Sequence, residues 1–254
     1  IKKVSREDVA GKSFDDAINS ISSAKDGETV VITVLRGTDT LDIPVVCKLM
    51  ENKTVESEMK EGNIGYIYVS EFDEITIEQF KTALASLTAQ GMKGLVIDLR
   101  DNPGGLYDAV VDMLDQILPE GLLVYTEDKN GNVNEKYSDE ENKITIPYSV
   151  IINENSASAS EIFAGAVKDF GIGKIVGTTS YGKGIVQEVY PLSDGSALKL
   201  TIASYFTPKG ISINGVGVKP DVEIDIPDSV YESGELTDEN DTQLKAAIEA
   251  LGIK

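Results

Sequence analysis

Three short apolar runs, at residues 64–70, 94–99 and 148–152, read as strands; 148–152 reads as buried, and 94–99, almost wholly apolar, as a strand of the parallel kind. Between the first two, Ile77, Phe80, Leu84 and Leu87 recur at helical spacing over 76–90, and Gly91 stops that helix. A further helix over 107–118 ends at Pro119 and Gly121, so this region composes a strand–helix–strand unit of an α/β fold. Behind the third run, Ile162, Phe163, Ala166, Val167 and Phe170 again repeat at helical spacing, followed by an Ile-Val-Gly turn at 175–177. Alternation marks the remaining strands: 30–35 with 41–46 across a loop at 36–40, 122–126 with 133–137 around Asn130-Gly131, and 197–203. Ser13 and Asp16 open a capped helix through residue 24, with Phe14, Ala17, Ile18 and Ile21 on one face. Residues 51–61 form a polar linker or crossing strand, and 211–218 are rich in glycine. Residues 230–240 make an acidic loop without pattern, and 244–251 a short closing helix.

Composition narrows the class. At 254 residues and 41% apolar, the chain can bury the core of one large domain or two modest ones. Its 43 acidic against 23 basic side chains give a formal charge of −20, which repels phosphate backbones and anionic lipid, so nucleic acid is not an expected partner. Cys47 is the single cysteine and reads as a small buried hydrophobe, without an internal disulfide. With no histidine either, no metal site is expected. No apolar run reaches the length of a membrane span. The chain opens at Ile1 inside what reads as a domain, so the expectation is that any signal or anchor lies upstream.

The chemistry concentrates where a Ser-Ala-Ser-Ala-Ser segment, 156–160, joins the third buried strand to its helix. The first N–H groups of a helix have no partner within it and its dipole favours negative charge, so a hydroxyl there lies beside ready anion donors. That suits a serine nucleophile. The absence of histidine excludes every Ser-His arrangement and leaves a carboxylate, a lysine or an amino terminus as base. Lys183, between Gly182 and Gly184, is the candidate. A base must be neutral; a free lysine titrates near about 10.4, and burial without a counter-charge lowers that by roughly 3–5 units. The segment has a plainer reading as well, since Ser158 and Glu161 form a capping box. Ser156 and Ser160 compete with Ser158, although on a helix Ser160 points about 200° away. Two other matches carry less: Ser22 and Lys25 show a Ser-x-x-Lys spacing of a kind common by chance. Asp128, Asn130 and Asn132 suggest a calcium loop, but the glycine falls two positions too early for one.

Ser156 to Ala166, Tyr181 to Gln187, Asp98-Leu-Arg-Asp-Asn-Pro-Gly-Gly105 and Tyr205-Phe-Thr-Pro-Lys-Gly210 together resemble the carboxyl-terminal processing proteases, the tail-specific serine peptidases of family S41. The resemblance implies an α/β core of the crotonase and ClpP type over 54–227. It places a truncated PDZ segment, its helix and last hairpin, at 1–53 and an acidic loop with a C-terminal helix at 228–254. It makes Ser158 the nucleophile, Lys183 the general base and Gln187 the residue that orients the lysine. Gln187, four residues on in a strand, shares the lysine's face, and its uncharged amide does not restore the ammonium. The oxyanion hole falls on the N–H of Ala159 and on Gly104 or Gly105. Further implications are a protein or peptide substrate with an accessible C-terminal tail, no cofactor, and a place outside the cytoplasm, in the cell envelope or secreted. Membrane attachment would come only through a segment preceding this chain. Two alternatives stay open at this point: a non-catalytic binding protein on the same scaffold, and a protease held inactive by its PDZ segment.

Overall fold

Ser13 accepts the Asp16 N–H at 3.1 Å and so starts the first helix where the capping pattern places it. In chain order the first unit, Ile1–Asn52, holds β1 (Lys3–Val4), β2 (Glu7–Asp8), α1 (Phe14–Ser22), β3 (Thr29–Arg36) and β4 (Asp39–Val46). Its four strands pair antiparallel in the order β2-β1-β3-β4. Val4, Val9 and Val30 form its small core, against which Ala17, Ile21, Ile32 and the half-buried Cys47 pack. Only part of the predicted apolar face of α1 is covered, since Phe14 is 79% exposed and Ile18 42%. Ser22 spends its hydroxyl on the Ile18 carbonyl, so its spacing to Lys25 marks no site.

The second unit, Lys53–Lys254, opens with β5 (Val55–Lys60), β6 (Ile64–Val69), α2 (Thr76–Ala89), β7 (Gly94–Asp98) and α3 (Tyr107–Asp115). There follow β8 (Gly121–Asp128), β9 (Val133–Ser138), β10 (Tyr148–Ile152), α4 (Ala159–Phe170), β11 (Gly173–Gly177), β12 (Ile185–Pro191) and β13 (Ala197–Phe206). It closes with β14 (Val222–Glu223), α5 (Asp228–Ser233) and α6 (Thr242–Ala250). This computed structural model describes every residue except Arg6, Glu51, Glu140, Asn142, Glu235 and Lys254, and only the backbone of Tyr231 and Ser233.

Six strands form the central sheet in the order β14-β11-β10-β7-β6-β5, parallel except for the antiparallel edge strand β5. The continuous apolar runs have their cause in burial on both sides. Leu95, Ile97, Val150, Ile152 and Ile175 face one core together with α2, α3 and α4. Their alternates Val96, Ile151 and Val176 face a second core with Leu244 and Ala247 of α6 and with Leu251, which caps that helix. The C-terminal helix is therefore the second covering layer of this sheet, and each buried leucine in it contributes roughly 2 kcal/mol. The other sheet, β12-β13-β8-β9, is antiparallel.

Two expectations are corrected. Ile175-Val176-Gly177, expected as a turn, is the end of β11, a fully paired parallel strand whose sequence is too short and too broken by Lys174 to alternate. The segment 230–240, expected as a loop, begins within α5, whose first-turn Asp228 complements the helix dipole. Asp128 turns its carboxylate inward onto the N–H groups of Asn130 and Asn132, and the Asn132 amide holds that carboxyl below its usual range. Among the described residues no cluster of acidic, histidine or cysteine side chains could hold a metal ion. None of the described helices is long and apolar enough to cross a membrane.

Candidate active site

β10 lies between β7 and β11, and the chain leaves its end through a sharp turn into α4. Ser158 caps that helix with φ +56° and ψ −112°, a backbone conformation rare outside glycine and held only where the surroundings dictate it. The surroundings here are the turn after β7. A Cβ added at Gly104 would lie 2.8 Å from Ser158 Cβ and 2.7 Å from the Ala157 carbonyl, so only glycine lets that backbone come so close.

The three serines have different fates. Ser156 is fully buried; its hydroxyl donates to the Leu99 carbonyl at 2.7 Å and accepts the Asn153 N–H at 2.9 Å. Ser160, also fully buried, donates to the Asn102 carbonyl at 2.9 Å. Both stitch the serine junction to the end of β7. Ser158 alone of the three lines a cleft of about 280 Å³.

Lys183 and Gln187 line the same cleft, as do Gly105 and Ala159, with Leu106, Ile162 and Ile185 supplying an apolar wall. Ser158 and Lys183 face this space without a direct hydrogen bond between Oγ and Nζ. Lys183 stands in the irregular stretch between β11 and β12, which corrects the expectation of a strand carrying Lys183 and Gln187 on one face: β12 starts only at Ile185 and bulges between Val186 and Gln187, and the two side chains share the cleft without a hydrogen bond between them. Gly184 behind it packs so closely that a Cβ there would lie 2.5 Å from the Asn214 backbone nitrogen.

The buried Asn102 shapes the turn: its amide donates to the Val69 carbonyl and its Oδ1 accepts the Gly104 N–H at 2.8 Å. The N–H groups of Gly105 and Ala159 have no acceptor among the described residues. Upstream of Asn102, the Arg100 guanidinium bonds both oxygens of Asp98 and reaches Asp241 at 2.8 Å, while Asp241 also caps α6. Burial works against the charge on Arg100, but Asp98 and Asp241 outweigh it and raise its pKa. The helix α6 is thereby tied to the strand end that carries the glycine turn.

Two side chains whose reach the sequence patterns show only in part, Glu161 through its capping box and Tyr205 through its motif, hold the centre together. Glu161, fully buried in α4, accepts four hydrogen bonds. Ser158 N–H and Lys183 N–H both reach its Oε2 at 2.8 Å, while Gly182 N–H and the Ser180 hydroxyl reach its Oε1 at 2.6 Å. The capping-box expectation thus captured one of four contacts. Tyr205 in β13 places its hydroxyl against the carbonyls of Ser158, at 3.1 Å, and of Lys183. Its presence in the Tyr-Phe-Thr-Pro-Lys-Gly motif was the only signal in the sequence.

A serine on a strand-to-helix turn, a lysine lining the same cleft and two N–H groups without an acceptor among the described residues are an arrangement that can support acyl transfer without histidine. The chain belongs to peptidase family S41, whose family model, Peptidase family S41, matches residues 63–224. It is 36% identical to a probable CtpA-like serine protease of Staphylococcus epidermidis over 265 residues, covering 99% of this chain and 53% of that protein. To the Staphylococcus aureus (strain COL) counterpart it is 34% identical over 268 residues, covering 100% of this chain and 53% of that protein. The chain thus spans about half the length of the curated relatives it matches. Among solved structures, photosystem II D1 C-terminal processing protease superposes with a TM-score of 0.64 at 30% identity, over 89% of this chain and 64% of that one. A putative S41 protease from Bacteroides fragilis shares the fold, with a TM-score of 0.65 at 16% identity over 99% of this chain and 72% of that one.

Proposed function

We propose that this chain carries the catalytic machinery of a serine endopeptidase that cuts near the carboxyl termini of protein substrates, with Ser158 as nucleophile and Lys183 as general base. The observation that carries the reading is the sorting of the three serines: Ser156 and Ser160 are buried and committed, whereas Ser158 opens onto the cleft that Lys183 also lines.

In this mechanism the neutral amine of Lys183 takes the Ser158 proton as Oγ attacks the scissile carbonyl carbon. The carbonyl oxygen becomes an oxyanion and accepts from the N–H groups of Ala159 and Gly105. The choice of Gly105 over Gly104 follows from Asn102, which already occupies the Gly104 N–H. The tetrahedral intermediate collapses, the C–N bond breaks, and the Lys183 ammonium returns its proton to the departing amine. Water, deprotonated by the same lysine, then attacks the acyl carbon, the bond from that carbon to Ser158 Oγ breaks, and the lysine returns its proton to Oγ as the new carboxylate leaves. Gln187 contributes an uncharged amide that orients the lysine amine. The apolar wall of Leu106, Ile162 and Ile185 suits a substrate with apolar residues at the cut.

Support for tail processing comes from the D1 C-terminal processing protease among the structural relatives. The CtpA-like relatives support a place outside the cytoplasm. The first unit, a helix against a four-stranded antiparallel sheet, is consistent with part of a PDZ-type peptide module that would select or gate the substrate.

Ser158→Ala is expected to abolish cleavage of casein while leaving the circular dichroism melt unchanged, and mass spectrometry of wild-type products should place cuts near substrate C-termini. Persisting cleavage in Ser158→Ala, lost instead in Ser156→Ala or Ser160→Ala, ends this assignment.

A further inference from the structure

Ser158 and Lys183 are 25 positions apart in sequence, yet the same two side chains hold the main chain of both. On the N–H side Glu161 Oε2 accepts from each. On the carbonyl side the Tyr205 hydroxyl meets each. The Ser158 carbonyl is already served by the helical N–H groups of Glu161 at 2.9 Å and Ile162 at 3.0 Å. The Lys183 carbonyl has no other donor among the described residues, and a hydroxyl has one proton to give. That proton therefore belongs to Lys183, with the Ser158 carbonyl as the surface against which the phenol is seated.

Resting on the assignment of Ser158 and Lys183 as nucleophile and base, we infer that Tyr205 is a positioning residue whose hydroxyl sets the spacing between the two. Three features fit a strut better than a proton carrier. Tyr205 is 2% exposed, and its hydroxyl touches main-chain carbonyls, with no hydrogen bond to Ser158 Oγ or Lys183 Nζ. Its own N–H bonds the Gly184 carbonyl at 3.1 Å, so one residue grips two consecutive carbonyls of the lysine loop. Burial, reinforced by the Glu161 charge, pushes the phenol well above its usual range, so it stays a donor at neutral and mildly alkaline pH. The loop it grips lacks regular secondary structure; on the carbonyl side its other bond is from the Gly215 N–H to the Gly182 carbonyl at 2.8 Å, one residue before the lysine, so the carbonyl of Lys183 itself is left to Tyr205.

The test compares wild type, Tyr205→Phe and two replacements of Tyr205 by unnatural residues, p-aminophenylalanine and p-methylphenylalanine, on a quenched fluorescent peptide. Misplacing a reacting group by about 1 Å is worth roughly 100-fold in rate. Tyr205→Phe is expected to lower kcat by about 10- to 100-fold with KM within about threefold, since the ring that lines the cleft is kept and only a hydroxyl turned onto main-chain carbonyls is lost, and to slow fluorophosphonate labelling in parallel. The p-amino ring keeps a donor in the same place and should recover most of kcat; the p-methyl ring fills that place without a donor and should not. Wild-type kcat in Tyr205→Phe overturns the inference. If Tyr205→Phe melts below the assay temperature, the two para-substituted rings decide the matter: equal kcat values overturn it, and a clear advantage of the amino ring supports it. Activity surviving in Ser158→Ala would instead remove the nucleophile assignment, so failure of the two readings gives different results.

Discussion

The two halves of the candidate site are held in different ways. Ser158 follows β10, a strand paired on both sides, and begins a helix buried over most of its length; around it Ser156, Ser160 and Asn102 add bonds between elements that already pack. Lys183 sits in a loop whose N–H groups at Gly182, Lys183 and Gly184 go to side chains, those of Glu161 and Asn214. Position of the serine is therefore a property of paired and packed elements, whereas the lysine loop is held on its N–H side by polar side chains and on its carbonyl side by the Gly215 and Tyr205 N–H groups at Gly182 and Gly184 and the Tyr205 hydroxyl at Lys183. Substitutions in the serine half should lower stability first, and those in the lysine half should lower activity first.

The largest effect is expected at Glu161, which belongs to both halves. In Glu161→Gln one carboxylate oxygen becomes an amide NH₂ that faces two N–H or O–H donors, and the remaining bonds lose their charge. Hydrogen bonds to a charged group are worth about 1.5–3 kcal/mol each, so a stability loss of about 3 kcal/mol or more is expected by urea unfolding. The catalytic loss should exceed about 100-fold, because both main-chain segments lose their shared acceptor. A kcat within threefold of wild type would show that the lysine loop holds itself, and the comparison would break.

Ser160→Ala sharpens the other side. It removes one bond to the Asn102 carbonyl, which keeps the Ala157 N–H at 3.0 Å and so is not left bare. A loss of about 1 kcal/mol in unfolding free energy is expected, with kcat within about threefold. A tenfold fall in kcat without a stability change would mean that the serine half depends on single bonds as much as the lysine half does.

The same contrast explains how much could be read from sequence. Strands at 64–70, 94–99 and 148–152 were legible because two-sided burial forces an unbroken apolar run, and α2 and α4 because one apolar stripe faces a core. The serine junction was legible as a local pattern. β11 was not, because pairing with β10 and β14, and not its own composition, makes Gly-Lys-Ile-Val-Gly a strand. Two-residue β14 has too few positions to show any period. Glu161 and Tyr205 act across 22 residues to Lys183, and no periodicity encodes a carboxylate or phenol reaching that far. Asp241, which joins Arg100 from 141 positions away, is hidden for the same reason.

Asn214 gives the smallest expected effect. Its Oδ1 accepts the Gly184 N–H at 3.2 Å, a long bond from an exposed side chain, next to the close packing of Gly184 against the Asn214 backbone. In Asn214→Ala the backbone contact survives and water can reach the freed N–H, so the cost in stability should stay under about 0.5 kcal/mol. The loop's remaining bonds to Glu161 and Tyr205 still hold Lys183, so kcat should fall by no more than about threefold, with KM unchanged. If the lysine half is held by side chains acting together, Asn214→Ala combined with Tyr205→Phe should lose more than the product of the two single effects. The double-mutant cycle on kcat measures this, and coupling above roughly 0.5 kcal/mol is the expected result for residues gripping one loop. Simple additivity would mean that each side chain fixes its own peptide unit and that the loop between Gly182 and Gly184 does not move as one body.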